Sequence, residues 1–178
     1  MSEEKMKIAT VWLDGCSGCH MSLLDMDERL LDLAEKIELV YSPLVDTKQF
    51  PEHVDVTLVE GAVASEEDLE KIRRIRTRTG TLVSLGDCAV TANVPSMRNS
   101  CSLKSVFEAA YGTGVLNAQV PSEGVPRLLP RVCPVHEVVE VDVYVPGCPP
   151  PADTIHFVLS ELIEGRKPEL AEHTRFGI

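Results

Sequence analysis

The sequence lacks any stretch that would direct the chain out of the cell or into a membrane. Residues 1–7 are mostly charged and run directly into a strand-like segment, without the apolar core of an export signal and without a twin-arginine pair. No uninterrupted apolar run reaches the length that a membrane-spanning helix needs. We therefore expect a cytoplasmic protein without membrane insertion.

Basic residues are scarce relative to acidic ones. The chain has 17 Lys and Arg against 28 Asp and Glu, which gives a formal net charge of −11 at pH 7. Nucleic-acid backbones are negatively charged and are bound by Lys and Arg, so this balance has the wrong sign for such a partner. The composition therefore argues against nucleic-acid binding.

Internal repeats are also absent, and the length suits one domain. With 178 residues, 44% of them hydrophobic, the chain is large enough to bury a substantial core. We predict a single domain over residues 1–165, followed by a polar C-terminal tail at residues 166–178.

Hydrophobic periodicity predicts strands that alternate with helices. The predicted strands lie at residues 7–13, 37–45, 54–62, 81–85 and 142–145. The predicted helices lie at residues 21–34, at 66–78 with Ser65 as N-cap, and at 151–164. Parallel strands need crossover connections, so this alternation predicts a flavodoxin-like three-layer α/β sandwich with a mainly parallel sheet.

The periodicity weakens between residues 89 and 140. A short helix is predicted at residues 103–111, and the remainder is rich in Pro, Gly and Val. Irregular segments of this length are usually functional or covered by another protein, and we expect one of these roles here.

Six cysteines in a cytoplasmic chain indicate metal or redox chemistry, because cellular thiols keep most intracellular cysteines reduced. Four of them follow predicted strands and lie in glycine-containing turns: Cys16, Cys19, Cys88 and Cys148. The carboxyl ends of parallel strands meet at one edge of the sheet, so we expect these four thiols to lie together there. Cys101 and Cys133 have no adjacent glycine, and we expect them to be ordinary small buried residues.

The pair Cys16 and Cys19, taken alone, fits half of a zinc site, a thioredoxin-like dithiol or part of an iron-sulfur site. Zinc sites usually take two closely spaced pairs of ligands, whereas Cys88 and Cys148 are single residues far apart in the sequence. A redox dithiol would need neither of them. The set of four favours an iron-sulfur cluster, with a zinc or redox-thiol binding module as the alternative.

The segments around these cysteines resemble the small subunit of nickel-iron hydrogenases, and most closely that of the cytoplasmic, bidirectional NAD-reducing enzymes. The matching stretches are VWLDGCSGCHMSLLDMDE from Val11, LVEGAVA from Leu58, SLGDCAVTANVPSMRN from Ser84 and DVYVPGCPP from Asp142. The resemblance covers most of residues 7–165. It implies that Cys16, Cys19, Cys88 and Cys148 ligate one 4Fe-4S cluster next to a nickel-iron centre, which a separate large subunit holds.

The same resemblance implies an electron-transfer subunit without catalytic residues of its own. Electrons from the large subunit would pass through this one proximal cluster to a diaphorase module, whose iron-sulfur and flavin subunits carry further clusters, FMN and the NAD site. The implied assembly is a hetero-oligomer. The two remaining cysteines leave no room for a second cluster with four cysteine ligands.

The nearest confusable relative is the complex I subunit that bears the terminal cluster, which would make the chain part of a quinone oxidoreductase. The pattern in that subunit begins with adjacent cysteines. Two residues separate Cys16 from Cys19, and this spacing favours the hydrogenase.

Four residues near the cysteines have roles that the sequence leaves open. Glu60 either tunes the cluster or relays protons, or it caps nearby backbone N–H groups. His20 is expected to hydrogen-bond backbone at a helix start. Asp87 either lowers the cluster potential or is an exposed turn residue. Trp12 either packs in the core or at an interface, or it lies beside the cluster.

Flavodoxin-like sheets often bind FMN at this edge, through a phosphate loop after the first strand. Here the corresponding turn begins with the acid Asp14 and contains Cys16. We therefore expect no tightly bound FMN in this chain.

Overall fold

The structure, a computed structural model, describes residues 5–174. Seven strands form its two sheets: β1 (Met6–Trp12), β2 (Ile37–Tyr41), β3 (Val54–Glu60), β4 (Val63–Ser65), β5 (Thr79–Leu85), β6 (Leu128–Cys133) and β7 (Val143–Val145). Five of them are parallel, in the order β2-β1-β3-β5-β7, which is the flavodoxin-like order. The predicted mainly parallel sheet is confirmed.

Helices cover both faces of the sheet. They are α1 (Gly18–Leu24), α2 (Arg29–Lys36), α3 (Glu66–Arg76), α4 (Asp87–Thr91), α5 (Leu103–Phe107) and α6 (Ala152–Ile163). Short 3-10 turns lie at Val94–Ser100 and Val135–Glu137, and a π-helical turn at Glu108–Gly112 extends α5 across the predicted 103–111 helix.

Two buried clusters of apolar side chains, one on each face of the sheet, join the sheet to the two layers of helices. One joins Leu58 and Leu85 to Ile155 of α6, and the other joins Val59 to Ile72 of α3. Adjacent residues of β3 thus point to opposite faces, and both faces are buried, as expected for a parallel sheet between helix layers. The predicted three-layer sandwich is confirmed.

The predicted helix at residues 21–34 is two helices, α1 and α2. Asp27, between them, has a φ of 56°, a left-handed conformation that interrupts a helix. The second strand is also shorter than predicted and ends at Tyr41. The side chain of Ser42 accepts a hydrogen bond from the Leu44 N–H at 3.1 Å, and this local turn ends the strand.

The weakly patterned region contributes one strand, β6, of a strand pair that the sequence did not predict. β4 and β6 run antiparallel, with Val63 opposite Cys133 and Ser65 opposite Leu128. Val132 of β6 is buried against alanines in a small third cluster. The pair lies just beyond the end of β3, so it extends the carboxyl edge of the main sheet.

Part of the predicted polar tail packs on the domain. The Thr154 hydroxyl of α6 donates to the carbonyl of His173 at 2.7 Å, and the His173 ring stacks on Phe157 with centroids 3.8 Å apart. The division at residue 165 stays a prediction. Residues 1–4 of the charged start and residues 175–178 of the tail lie outside the described residues.

Residues 5–174 contain no helix with both the length and the apolar character needed to cross a membrane.

Replacing Ser65 by alanine is expected to destabilise the chain by about 1 kcal/mol. The Ser65 hydroxyl accepts from the Asp68 N–H, and the Asp68 carboxylate accepts from the Ser65 N–H, which together form the capping box that starts α3. Urea denaturation of both proteins measures the difference, with exposed Glu67 changed to Gln as control. Equal midpoints for the Ser65 variant and the parent would contradict the assignment.

Candidate functional site

The four glycine-flanked cysteines lie at the carboxyl edge of the sheet. Cys16 and Cys19 follow β1, Cys88 follows β5 and Cys148 follows β7. β3 runs between β1 and β5 and ends at Glu60. The fold therefore delivers thiols from three separate segments around the end of one central strand, as the sequence predicts.

The thiols are close enough to influence one another. Burial raises the pKa of Cys19, and Glu60 and the other three thiols raise it further. Burial also raises the pKa of Cys88, with Cys148 and Cys16 adding to it and a backbone hydrogen bond from Val94 opposing it. The side chains of Cys16 and Cys148 are exposed, so the group has a buried inner side and an open outer side.

Backbone hydrogen bonds fix the turn of Cys88 against the turn of Cys148. The Gly86 N–H donates to the Val145 carbonyl at 2.7 Å, and the Asp87 N–H donates to the Gly147 carbonyl at 2.8 Å. The Asp87 carboxylate accepts from the Gly147 N–H at 2.7 Å. Asp87 is thus a half-buried clamp between two cysteine turns and not an exposed turn residue.

Glu60 fixes the turn of Cys16 and Cys19. Its carboxylate accepts from the Cys19 N–H at 3.4 Å and from the His20 N–H at 2.9 Å, and it is paired with Nδ1 of the His20 ring. Glu60 therefore caps backbone N–H groups, which is one of the roles that the sequence left open for it. The expectation for His20 was wrong, because its ring binds a carboxylate and not backbone.

The surroundings of this pair are buried. His20 is 1% exposed, and Trp12 meets its ring edge-on at a centroid distance of 5.3 Å. Nε2 of His20 and Nε1 of Trp12 are buried without a hydrogen-bond partner among the described residues. Trp12 is half-buried and packs against the His20 ring.

Ser22 and Pro150 were not recognised from the sequence. The Ser22 hydroxyl of α1 donates to the Pro150 carbonyl, which joins the helix after Cys19 to the turn of Cys148. A single polar residue on the inner face of α1 is too weak a signal to predict such a contact.

Two glycines leave room around the sulfurs. A Cβ on Gly86 would lie 2.2 Å from Sγ of Cys19, and Gly86 has a φ of 82°, which favours glycine. A Cβ on Gly18 would lie 3.3 Å from Sγ of Cys16. The thiols therefore need backbone without side chains beside them.

Cys101 and Cys133 do not belong to this group, and the prediction that both are buried was wrong. Cys101 is exposed and Cys133 is half-buried. Cys101 follows a short surface helix, and Cys133 alternates with buried Val132 along β6, so its side chain points away from the core. Neither contributes to the raised pKa of Cys19 or Cys88.

The chemistry of the four thiols fits an iron-sulfur cluster. In residues 5–174 no three His, Cys, Asp or Glu side chains are arranged to hold a single metal ion. The thiolates of a cluster bind different irons around an inorganic core, so they surround a volume and do not meet at one point. An all-sulfur donor set, rigid turns and the space kept by Gly86 suit such a group.

Comparison with known proteins relates the chain to oxidoreductase subunits. The family described as NADH ubiquinone oxidoreductase, 20 Kd subunit, matches residues 16–162, a range that contains all four cysteines. The delta subunit of the NAD-reducing hydrogenase HoxS of Cupriavidus necator is 46% identical over 170 residues, covering 92% of this chain and 81% of that protein. An F420-non-reducing hydrogenase subunit of Methanothermobacter marburgensis is 41% identical over 174 residues, and the match spans 94% of this chain and 56% of that protein.

A solved structure has nearly the same fold. One chain of the crystal structure of an NAD+-reducing NiFe-hydrogenase in the H2-reduced state superposes with a TM-score of 0.93 at 38% sequence identity. The match covers 98% of this chain and 100% of that chain.

Proposed function

The chain belongs to the family of the NADH ubiquinone oxidoreductase 20 Kd subunit, together with hydrogenase small subunits, and from this we propose that it is the electron-transfer subunit of a cytoplasmic NAD-reducing nickel-iron hydrogenase. The observation that supports this most is the grouping of Cys16, Cys19, Cys88 and Cys148 at one edge of the sheet. These four thiolates are the proposed ligands of one proximal 4Fe-4S cluster.

A 4Fe-4S cluster supplies single-electron transfer when it is bound. The chain contributes the geometry. Glu60 ties the turn of Cys16 and Cys19 to the end of β3, and Asp87 ties the turn of Cys88 to that of Cys148, so the thiolates keep their positions when the charge of the site changes. Cys19 closes the inner side, and exposed Cys16 and Cys148 lie where partner subunits can come close.

The proposed partners are a large subunit with the nickel-iron centre and a diaphorase module with further clusters, FMN and the NAD site. An arm of this chain, residues 108–127, supports a hetero-oligomer. Every residue of this arm is exposed, including the apolar side chains of Tyr111, Val115, Leu116 and Val120. Apolar side chains grouped on a segment that its own chain does not cover are typical of an interface.

Amides 114–126 are expected to exchange slowly with deuterated solvent in the complete complex. Within residues 5–174, none of these amides donates a hydrogen bond, so any protection must come from partner subunits. Hydrogen-exchange mass spectrometry of the complex measures this, with residues 46–49 as a control, because they are exposed and their amides also donate no hydrogen bond within residues 5–174. Exchange of the arm as fast as that of the control would count against its burial.

A cluster subunit of a quinone oxidoreductase is the second candidate, because the matching family is described by that activity. Purification of the complex through a tag on this chain separates the candidates. Co-purifying nickel with hydrogen-driven NAD+ reduction supports the hydrogenase. Iron with quinone reduction and no nickel supports the second candidate, and zinc or a metal-free monomer supports a zinc or redox-thiol module.

A further inference from the structure

Glu60 places a buried carboxylate at the centre of the cysteine group. It is 3% exposed and lies at the end of β3, between the strands that lead to Cys19 and Cys88. Its three hydrogen-bond partners are the N–H groups of Cys19 and His20 and Nδ1 of His20. A carboxylate can only accept, so Nδ1 is the donor. In residues 5–174 no Lys or Arg pairs with Glu60.

The position of this charge matters for electron transfer. Adding one electron to the site makes it one unit more negative, and a nearby carboxylate opposes that change. Burial strengthens the effect, because little water is present to screen it. The Glu60 carboxylate is next to the proposed ligand Cys19, because it accepts a hydrogen bond from the Cys19 N–H at 3.4 Å.

The hydrogen bonds that Glu60 accepts also oppose the addition of an electron to the site. Donation of N–H groups to cluster sulfurs is one of the factors that set a cluster's potential. The N–H groups of Cys19 and His20, next to a proposed ligand, point instead at Glu60. Glu60 therefore adds negative charge and also takes up two donors that could otherwise face the sulfurs.

We propose that Glu60 lowers the reduction potential of the proposed cluster and that His20 is a positioning residue that holds the Glu60 carboxylate beside Cys19. This inference rests on the proposed function, because it requires a cluster at the four cysteines. It assigns the buried pair a role in setting the driving force of the electron transfer.

The test is a redox titration of the complete complex, followed by electron paramagnetic resonance with dithionite as reductant. Glu60→Gln removes the charge at nearly constant size, and we expect a more positive potential. His20→Leu removes the side-chain donor and leaves the carboxylate less neutralised, so we expect a more negative potential. Glu52→Gln removes the charge of an 87% exposed side chain paired with Arg78, and it should leave the potential unchanged.

Opposite shifts in the two variants would support the inference, and a loaded Glu60→Gln protein with the parent potential would overturn it. If Glu60→Gln loses its iron, His20→Leu decides: a negative shift supports the inference and an unchanged potential overturns it. Loss of iron from both folded variants would show that Glu60 and His20 have only a structural role, and this result would also overturn the inference. A parent complex without any cluster would instead refute the proposed function.

Discussion

Replacing Cys16 or Cys148 by serine is expected to abolish hydrogen-driven NAD+ reduction and to impair assembly of the hydrogenase. Each substitution removes one of four proposed thiolate ligands, and a serine hydroxyl is a much weaker ligand for cluster iron than a thiolate. Both side chains are exposed, so loss of core packing would not explain the effect. The measurements are iron content per chain and the rate of NAD+ reduction under hydrogen.

Cys101→Ser and Cys133→Ser are the matched controls, because the same atom is changed outside the cysteine group. Cys101 is exposed and Cys133 lies beside Arg131 and Glu137. Both controls are expected to keep their iron and their turnover. Full turnover in Cys16→Ser and Cys148→Ser would refute electron transfer through this site.

Gly86→Ala is expected to have the next largest effect, with loss of most of the iron from the chain. The new methyl group would lie 2.2 Å from Sγ of Cys19 and 3.4 Å from the Gly147 carbonyl oxygen. Contacts as short as 2.2 Å are not tolerated, so Cys19 or the clamped turn of Cys88 must move. The backbone of Gly86, with φ 82° and ψ 162°, lies in a region that essentially only glycine adopts, which adds roughly 1 to 3 kcal/mol of strain.

Gly165→Ala is the control that separates the effect of the clash with Cys19 from the effect of backbone strain. Gly165 has a φ of 71°, close to the 82° of Gly86, but a Cβ there meets nothing within 4 Å. Both variants should lose stability from backbone strain, and only Gly86→Ala should lose iron. Iron analysis after anaerobic purification compares them, and a Gly86→Ala protein with full iron would show that the thiols do not need this space.

The main sheet could be predicted from local sequence patterns. The run Val54–Glu60 is rich in Val and Leu, and the spacing of such runs leaves room for crossover helices. The β4 and β6 pair could not be predicted, because a three-residue strand has no periodicity and its partner lies more than 60 residues away. The break between α1 and α2 depends on the left-handed conformation of Asp27, which no local pattern indicated.

The candidate site was likewise predictable from the sequence only in part. Glycine-flanked cysteines after strands were visible in the sequence, because turn residues and strand ends are local signals. The pairing of His20 with Glu60 was not, since it depends on the parallel register that places Trp12 beside Glu60 at the ends of β1 and β3. The clamp between Asp87 and Gly147 likewise joins residues 60 positions apart.

The most direct test of the account is the iron and acid-labile sulfide content of this subunit within the anaerobically purified complex, with electron paramagnetic resonance before and after reduction by hydrogen. The account predicts about four irons and four sulfides per chain and a cluster signal that appears under hydrogen. It also predicts that this signal is absent from Cys16→Ser. A parent subunit without iron, or a signal that survives in Cys16→Ser unchanged, would contradict it.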